Sequence, residues 1–198
     1  MPVALLRDAP PREDAGRRET AAATAALVPA EAALLGAARS GDRAAIADLF
    51  ERFAPMVHGI LLARVPRADV DDLVQDVFLV VMKGVARLRE DLAFGAWLAT
   101  VTRNRAVDFH RRRLPTDDLS VDLADDVTAS GAQRSEAERA LATIRGLPEA
   151  YRETLVLRLV EGMTGPEIAA RVGMTPDSVR VNLHRGMTLL RQRLEERP

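Results

Sequence analysis

A run near the C-terminus, Thr164-Gly-Pro-Glu-Ile-Ala-Ala-Arg-Val-Gly-Met-Thr-Pro-Asp-Ser-Val-Arg180, leaves the chain few choices of local structure. Ile168, Ala169 and Val172 fall on one face of a helix, and the small Ala169 permits close approach of a second helix. Gly173 stands where a tight turn requires a positive φ. Thr175 is placed to cap the next helix, and Pro176 takes its first position, where a missing N–H costs nothing. Val179, Leu183, Leu190 and Leu194 then recur as a buried stripe. The pattern is that of a helix-turn-helix. Ser178, Arg180, Asn182 and Arg185 are left on a different face, with side chains suited to phosphates and base edges. An ordinary helical hairpin with a solvated face is the bland alternative, and the agreement of turn, caps and stripe argues against it.

The rest of the chain also reads as helix. Gly41-Asp42 suggests a turn and an N-cap. Ile46, Leu49, Phe50, Phe53, Val57, Ile60 and Leu61 follow at three- and four-residue steps, with Pro55 inside the stripe as a predicted kink or break. A second stripe comprises Val70, Leu73, Val74, Val77, Phe78 and Val81, and a third Phe94, Trp97, Leu98 and Val101. Only 4% of residues are aromatic, so Ala, Leu and Val must fill the core, which favours helices over a β-sandwich. The expected fold is all-α: two small helical domains, 31–113 and 135–198, joined by an acidic, flexible linker at 114–134 and preceded by a mobile extension at 1–30. In the second domain the glycines and prolines predict helices at 135–145, 148–160, 165–172 and 176–194.

The formal net charge is −1, so any contact with nucleic acid must come from local patches. There is no Cys, which excludes disulfides and thiolate zinc sites, and the three His residues are far apart. No apolar run reaches membrane-spanning length and no signal core is evident, so the expected location is the cytoplasm.

Two further segments carry chemistry. In Asp69-Val-Asp-Asp-Leu-Val-Gln-Asp-Val-Phe78, the side chains of Asp71, Asp72, Gln75 and Asp76 cluster opposite an apolar stripe and could dock on a basic partner helix. Such a face is more often simply solvated. Carboxylate acid–base or metal chemistry needs a nucleophile, a glycine loop or further ligands that nothing nearby supplies. In Phe94 to Arg113 the chain's single Trp precedes Arg103, Arg105 and Arg111–Arg113, which can neutralise phosphates, while Asn104 and Asp108 can offer hydrogen bonds to bases. Trp97 itself reads better as core.

The ordered set Gly41-Asp42, Asp71-Asp72-Leu73-Val74-Gln75-Asp76-Val77-Phe78, Ala96-Trp97-Leu98, Arg103-Asn104-Arg105-Ala106-Val107-Asp108, Leu147-Pro148 and Glu167-Ile168-Ala169 resembles the bacterial RNA polymerase sigma factors of the extracytoplasmic-function (ECF) type, over roughly 31–113 and 135–195. The resemblance implies a non-enzymatic, cofactor-free subunit that directs promoter-specific initiation, for a stress or envelope regulon. It implies three partners: core RNA polymerase, bound through Asp71, Asp72, Gln75 and Asp76; promoter DNA; and an anti-sigma protein. The first domain would read the −10 element with Arg103, Asn104, Arg105, Asp108, Arg111 and Arg112. The second would read the −35 element with Ser178, Arg180, Asn182 and Arg185. Three features depart from the family pattern: Asn182 stands where a basic residue is common, Asp177-Ser178 replaces a frequent Gly-Thr, and Gly186 interrupts the second helix of the motif at about 1 kcal/mol relative to Ala. The competing reading is an autonomous helix-turn-helix regulator of the response-regulator or quorum type, which would carry an α/β sensing domain. No strand alternation appears at 31–113.

Overall fold

A computed structural model of the chain describes residues 31–85, 94–113 and 136–196. The extension at 1–30 and the linker at 114–134 lie outside the described residues. Among the described residues there is no strand. The elements are α1 (31–39), α2 (Arg43–Leu62), a short 3-10 turn (Arg67–Asp69), α3 (Val70–Gly84), α4 (Phe94–Arg113), α5 (Glu136–Arg145), α6 (Glu149–Leu159), α7 (Gly165–Val172) and α8 (Pro176–Glu195).

The predicted caps organise the helices. Gly41 takes φ 88°, and the Asp42 carboxylate accepts from the N–H groups of Ala44 (2.8 Å) and Ala45 (3.4 Å), starting α2. Pro55 does not break α2, which runs on to Leu62. The proline removes one backbone hydrogen bond on an exposed face, while Phe53, Met56, Val57, Ile60 and Leu61 bury completely on both sides of it and hold the helix in register.

α2 is the central strut. It packs against α3 and α4 on one side and against α6 on the other, and α4 in turn touches α7. α6 and α7 then carry α8, which also meets α5. The two sets of helices, α1–α4 and α5–α8, therefore meet along a seam. One continuous cluster of buried residues runs through both, from Leu35 and Phe53 to Leu157, Ile168 and Leu190. Phe53 and Phe94 meet edge to face at 4.9 Å in its middle.

Candidate nucleic-acid and partner surfaces

The second helix of the C-terminal motif is fixed at both ends of the turn that precedes it. Thr164 and Glu167 form a capping box: the Thr164 hydroxyl accepts from the Glu167 N–H (3.4 Å), and the Glu167 carboxylate accepts from the Thr164 N–H (2.7 Å) and hydroxyl (2.8 Å). The backbone N–H of Thr164 holds the Glu167 carboxyl below the usual carboxylate range. The Thr-x-x-Glu spacing that announces this box is legible in the sequence, and the motif reading above passed over it. Gly173 then turns the chain at φ 74°. Thr175 accepts from the Ser178 N–H at 3.2 Å, with Pro176 in the first turn.

α8 buries Val179 and Leu190, while Leu183 and Leu194 are only half-buried, so the stripe is narrower than the sequence predicts. Gly186 is buried as well. A Cβ built there would meet Leu155 Cδ1 at 3.0 Å and Tyr151 Cβ at 3.1 Å. The glycine that reads as a weak point in the helix is thus where α8 comes closest to α6.

On the outward side of α8, Ser178, Arg180 and Arg185 are exposed and Asn182 is half-buried. The Ser178 oxygen accepts from the Thr175 hydroxyl at 2.7 Å, which ties it to the cap. Arg180 pairs with Asp177 at 3.3 Å, but both side chains are largely in water and the pair contributes little.

On α3, Asp71, Asp72 and Gln75 are exposed. Asp71 and Asp72 sit in the first turn, where the helix dipole favours negative charge. Asp76 differs: it is half-buried and pairs with Arg105 of α4. The structure thus brings together one residue expected at the polymerase and one expected at DNA.

On α4, Asn104, Arg111 and Arg112 are exposed, and Asp108 pairs with Arg111 at 3.2 Å. Arg113 pairs with Asp69 (3.1 Å) and lies over the Phe109 ring. Trp97 packs 5.8 Å from Phe94 and against Gly84, on the core side. Arg103 points elsewhere. Its guanidinium donates to both oxygens of Glu153 on α6, at 2.6 and 3.0 Å, and Arg64 donates to the same carboxylate at 3.0 Å. Burial pushes the Glu153 carboxyl up, but the two guanidiniums more than offset this and hold it below its ordinary value.

An all-helical molecule with a capped helix-turn-helix at one end and a basic helix beside an acidic one at the other belongs to the class of bipartite helical transcription proteins. Comparison with known proteins narrows this. Sigma-70 region 2 matches residues 49–114, and the Sigma-70 region 4 family matches residues 137–190. The chain is 34% identical to the RNA polymerase sigma factor CarQ of Myxococcus xanthus, over 80% of this chain and 94% of that one. It is 31% identical to the ECF RNA polymerase sigma factor SigD of Mycobacterium tuberculosis, over 82% of each. Among solved structures it resembles CnrH in complex with the cytosolic domain of CnrY, with a TM-score of 0.59 and 26% identity, over 85% of this chain and 99% of that one.

The chain belongs to the ECF RNA polymerase sigma factors, the subunits that join core RNA polymerase and direct it to promoters. The region 2 match lies where an autonomous regulator would need its sensing domain, so that alternative is not favoured. Among the described residues no helix is long and apolar enough to cross a membrane.

Proposed function

We propose a division of labour among the surfaces of this sigma factor. Residues 31–113 form the unit that docks on core polymerase and reads the −10 element, and residues 135–198 form the unit that reads the −35 element. Asp71, Asp72 and Gln75, exposed on the first turns of α3, supply the docking charge, with Asp76 at their edge. Asn104, Arg105, Asp108, Arg111 and Arg112 on α4 face the −10 element, together with Arg103 once it leaves Glu153. Ser178, Arg180, Asn182 and Arg185 on α8 face the −35 element.

The observation that carries this reading is the placement of α8. Two capped helix starts and the buried pair Val179 and Leu190 fix its rotation, and that rotation turns Arg180 and Arg185 to solvent with Asn182 beside them. Arg side chains grip phosphates or guanine, and Asn pairs bidentately with adenine. The chain acts by binding alone, without catalysis or cofactor, in the cytoplasm. An anti-sigma protein is a further partner, in keeping with the solved complex of CnrH with CnrY.

The test is transcription from a promoter library by mutant holoenzymes. Asn182→Ala is expected to relax preference at one −35 base pair by about 1–3 kcal/mol. Arg185→Ala is expected to weaken upstream DNA binding about equally for all sequences. If neither substitution changes −35 preference or upstream affinity, α8 is not the reading helix.

A further inference from the structure

The rotation of α8 ranks its outward residues, and the residues at the crest are not the ones its sequence brings forward. The buried Val179, Gly186 and Leu190 fall within about 20° of one line along the helix, at about 100° per residue. Ser178 and Arg180 stand about 100° from that line on opposite sides, and the half-buried Asn182 about 60° from it. These three border the outward face. Its crest, about 160° from the buried line, belongs to Asp177 and Val181, with Arg185 beside them at about 120°. The Asp177 side chain is 89% exposed, and Val181 is 36% exposed. His184 and Thr188 continue the crest toward the C-terminus, and the Thr188 hydroxyl is tied to the His184 carbonyl at 3.0 Å. In helix-turn-helix proteins the N-terminal residues of the second helix reach the base edges, and in α8 those on the crest are Asp177 and Val181.

An acid on this crest meets the field of the phosphates directly. Asp177 is the only acidic residue of α8 before Glu195. The helix dipole favours an acid anywhere in the first turn, and it does not call for the crest. In a major groove about 12 Å wide, the crest of a helix faces the base edges and its flanks face the walls. There a carboxylate accepts from the N4 amino group of cytosine, and an apolar side chain packs on the thymine methyl. Asp177 and Val181, four residues apart, are separated by about 6 Å along the helix, close to two base-pair steps of about 3.4 Å. Asp177 also holds Arg180 at 3.3 Å. That pair adds little to stability in water, but an arginine shared with a carboxylate is partly withdrawn from phosphate.

We propose that Asp177 and Val181 are specificity-determining residues of the −35 contact: the Asp177 carboxylate selects a C·G pair through the cytosine amino group and restrains Arg180, and Val181 selects a T·A pair within two steps of it. This rests on the assignment of α8 as the −35 reading helix. At Asp177, affinity and specificity then move in opposite directions. Removing the carboxylate relieves phosphate repulsion and releases Arg180, so total binding to DNA strengthens and depends more steeply on salt, while discrimination falls.

The experiment is transcription from a promoter library randomised across the −35 element, by holoenzymes carrying the parent chain, Asp177→Ala, Asp177→Asn, Val181→Ser or Arg185→Ala. The parent is expected to prefer C·G at one position by about fivefold or more. Asp177→Ala should abolish that preference and leave the other positions as they are. Asp177→Asn should shift it toward adenine, with which an amide pairs bidentately. Val181→Ser should remove a thymine preference of about fourfold, the contribution of about one buried methyl group, no more than two positions away. Upstream DNA should bind the Asp177→Ala holoenzyme more tightly than the parent at low salt, with a log–log salt slope steeper by about 0.9. Both positions are exposed, so the variants are expected to keep the parent's circular dichroism spectrum. Parental base preferences in both Asp177 variants overturn the proposal for Asp177, and a parental thymine preference in Val181→Ser overturns it for Val181. A blurring of every −35 position together with weaker binding in Asp177→Ala also overturns it, because that is the signature of a displaced helix. If Arg185→Ala too leaves upstream affinity unchanged, α8 does not touch the promoter and the assignment of the reading helix fails instead.

Discussion

Replacing Gly186 with alanine sets two quantities of known size against each other. Taken as an isolated helix, α8 should gain about 1 kcal/mol, because glycine is a poor helix former. In the folded chain the new methyl group would stand 3.0 Å from Leu155 Cδ1 and 3.1 Å from both Leu155 Cγ and Tyr151 Cβ. Tyr151 Cβ is fixed by the backbone of α6, and Leu155 is fully buried, so its side chain has little room to rotate away. Overpacking of this kind costs about 1–3 kcal/mol, and here the upper part of that range applies. The net expectation is destabilisation by about 1–2 kcal/mol. In a chain of this size that lowers Tm by about 2–8 °C. Thermal unfolding followed by circular dichroism measures it directly. Since any relief must push α8 away from α6, upstream-promoter affinity should fall as well, although residue 186 faces the core and not DNA. A rise in Tm for Gly186→Ala would refute the argument, because it would show that α6 and α8 can part at no cost and that the glycine is a tolerated defect.

Two other perturbations follow from the surfaces and the seam. Asp71→Arg together with Asp72→Arg should leave the fold intact, because both side chains are exposed, and should weaken core polymerase binding; unchanged affinity in the folded double variant, measured across a salt series, would reject α3 as the docking face. His58 donates from Nδ1 to the Glu161 carboxylate across the seam at 2.6 Å, and this hydrogen bond raises its pKa above the ordinary value, with the Glu161 and Asp71 charges adding to the rise and burial and Arg67 opposing it. A raised histidine pKa stabilises the folded chain fully below about pH 6.5 and loses that contribution as pH rises through the raised value. Tm should therefore fall modestly over that window in the parent chain and be flatter in His58→Gln; identical pH profiles would remove His58 from the account.

The local architecture was legible because its causes are local. Asp42, Gly173, Thr175 and Pro176 act within three or four residues of themselves: α2 and α8 begin, and α7 ends, where those residues place them. The family resemblance was legible for the same reason, since it rests on short ordered motifs. The positions of individual site residues were less so. Arg103 and Arg105 look alike in the sequence, five positions apart from Asp108 and three, yet one pairs with Asp76 within its own half and the other with Glu153 across the seam. Nothing within a helical turn of either distinguishes them, because the partners lie 50 and 29 residues away. Gly59, Gly95 and Gly186 fail to announce themselves for a related reason. A close approach is a property of two helices, and the sequence of one shows only a weak helix former. Pro55 shows the converse, a strong local breaker overridden by the burial of the residues around it.

Gly173 stands at the junction of two demands that are usually met by different residues. Its φ of 74° belongs to a conformation that side chains of the natural handedness rarely adopt, and its missing side chain leaves the gap into which Ala96 fits. The first demand is made by the turn whatever the rest of the chain does. The second exists only while the two halves touch. Any replacement meets both demands at once, so position 173 cannot be varied as a turn residue alone: a substitution there disturbs the fit of α4 against the turn as well as the stability of the helix-turn-helix.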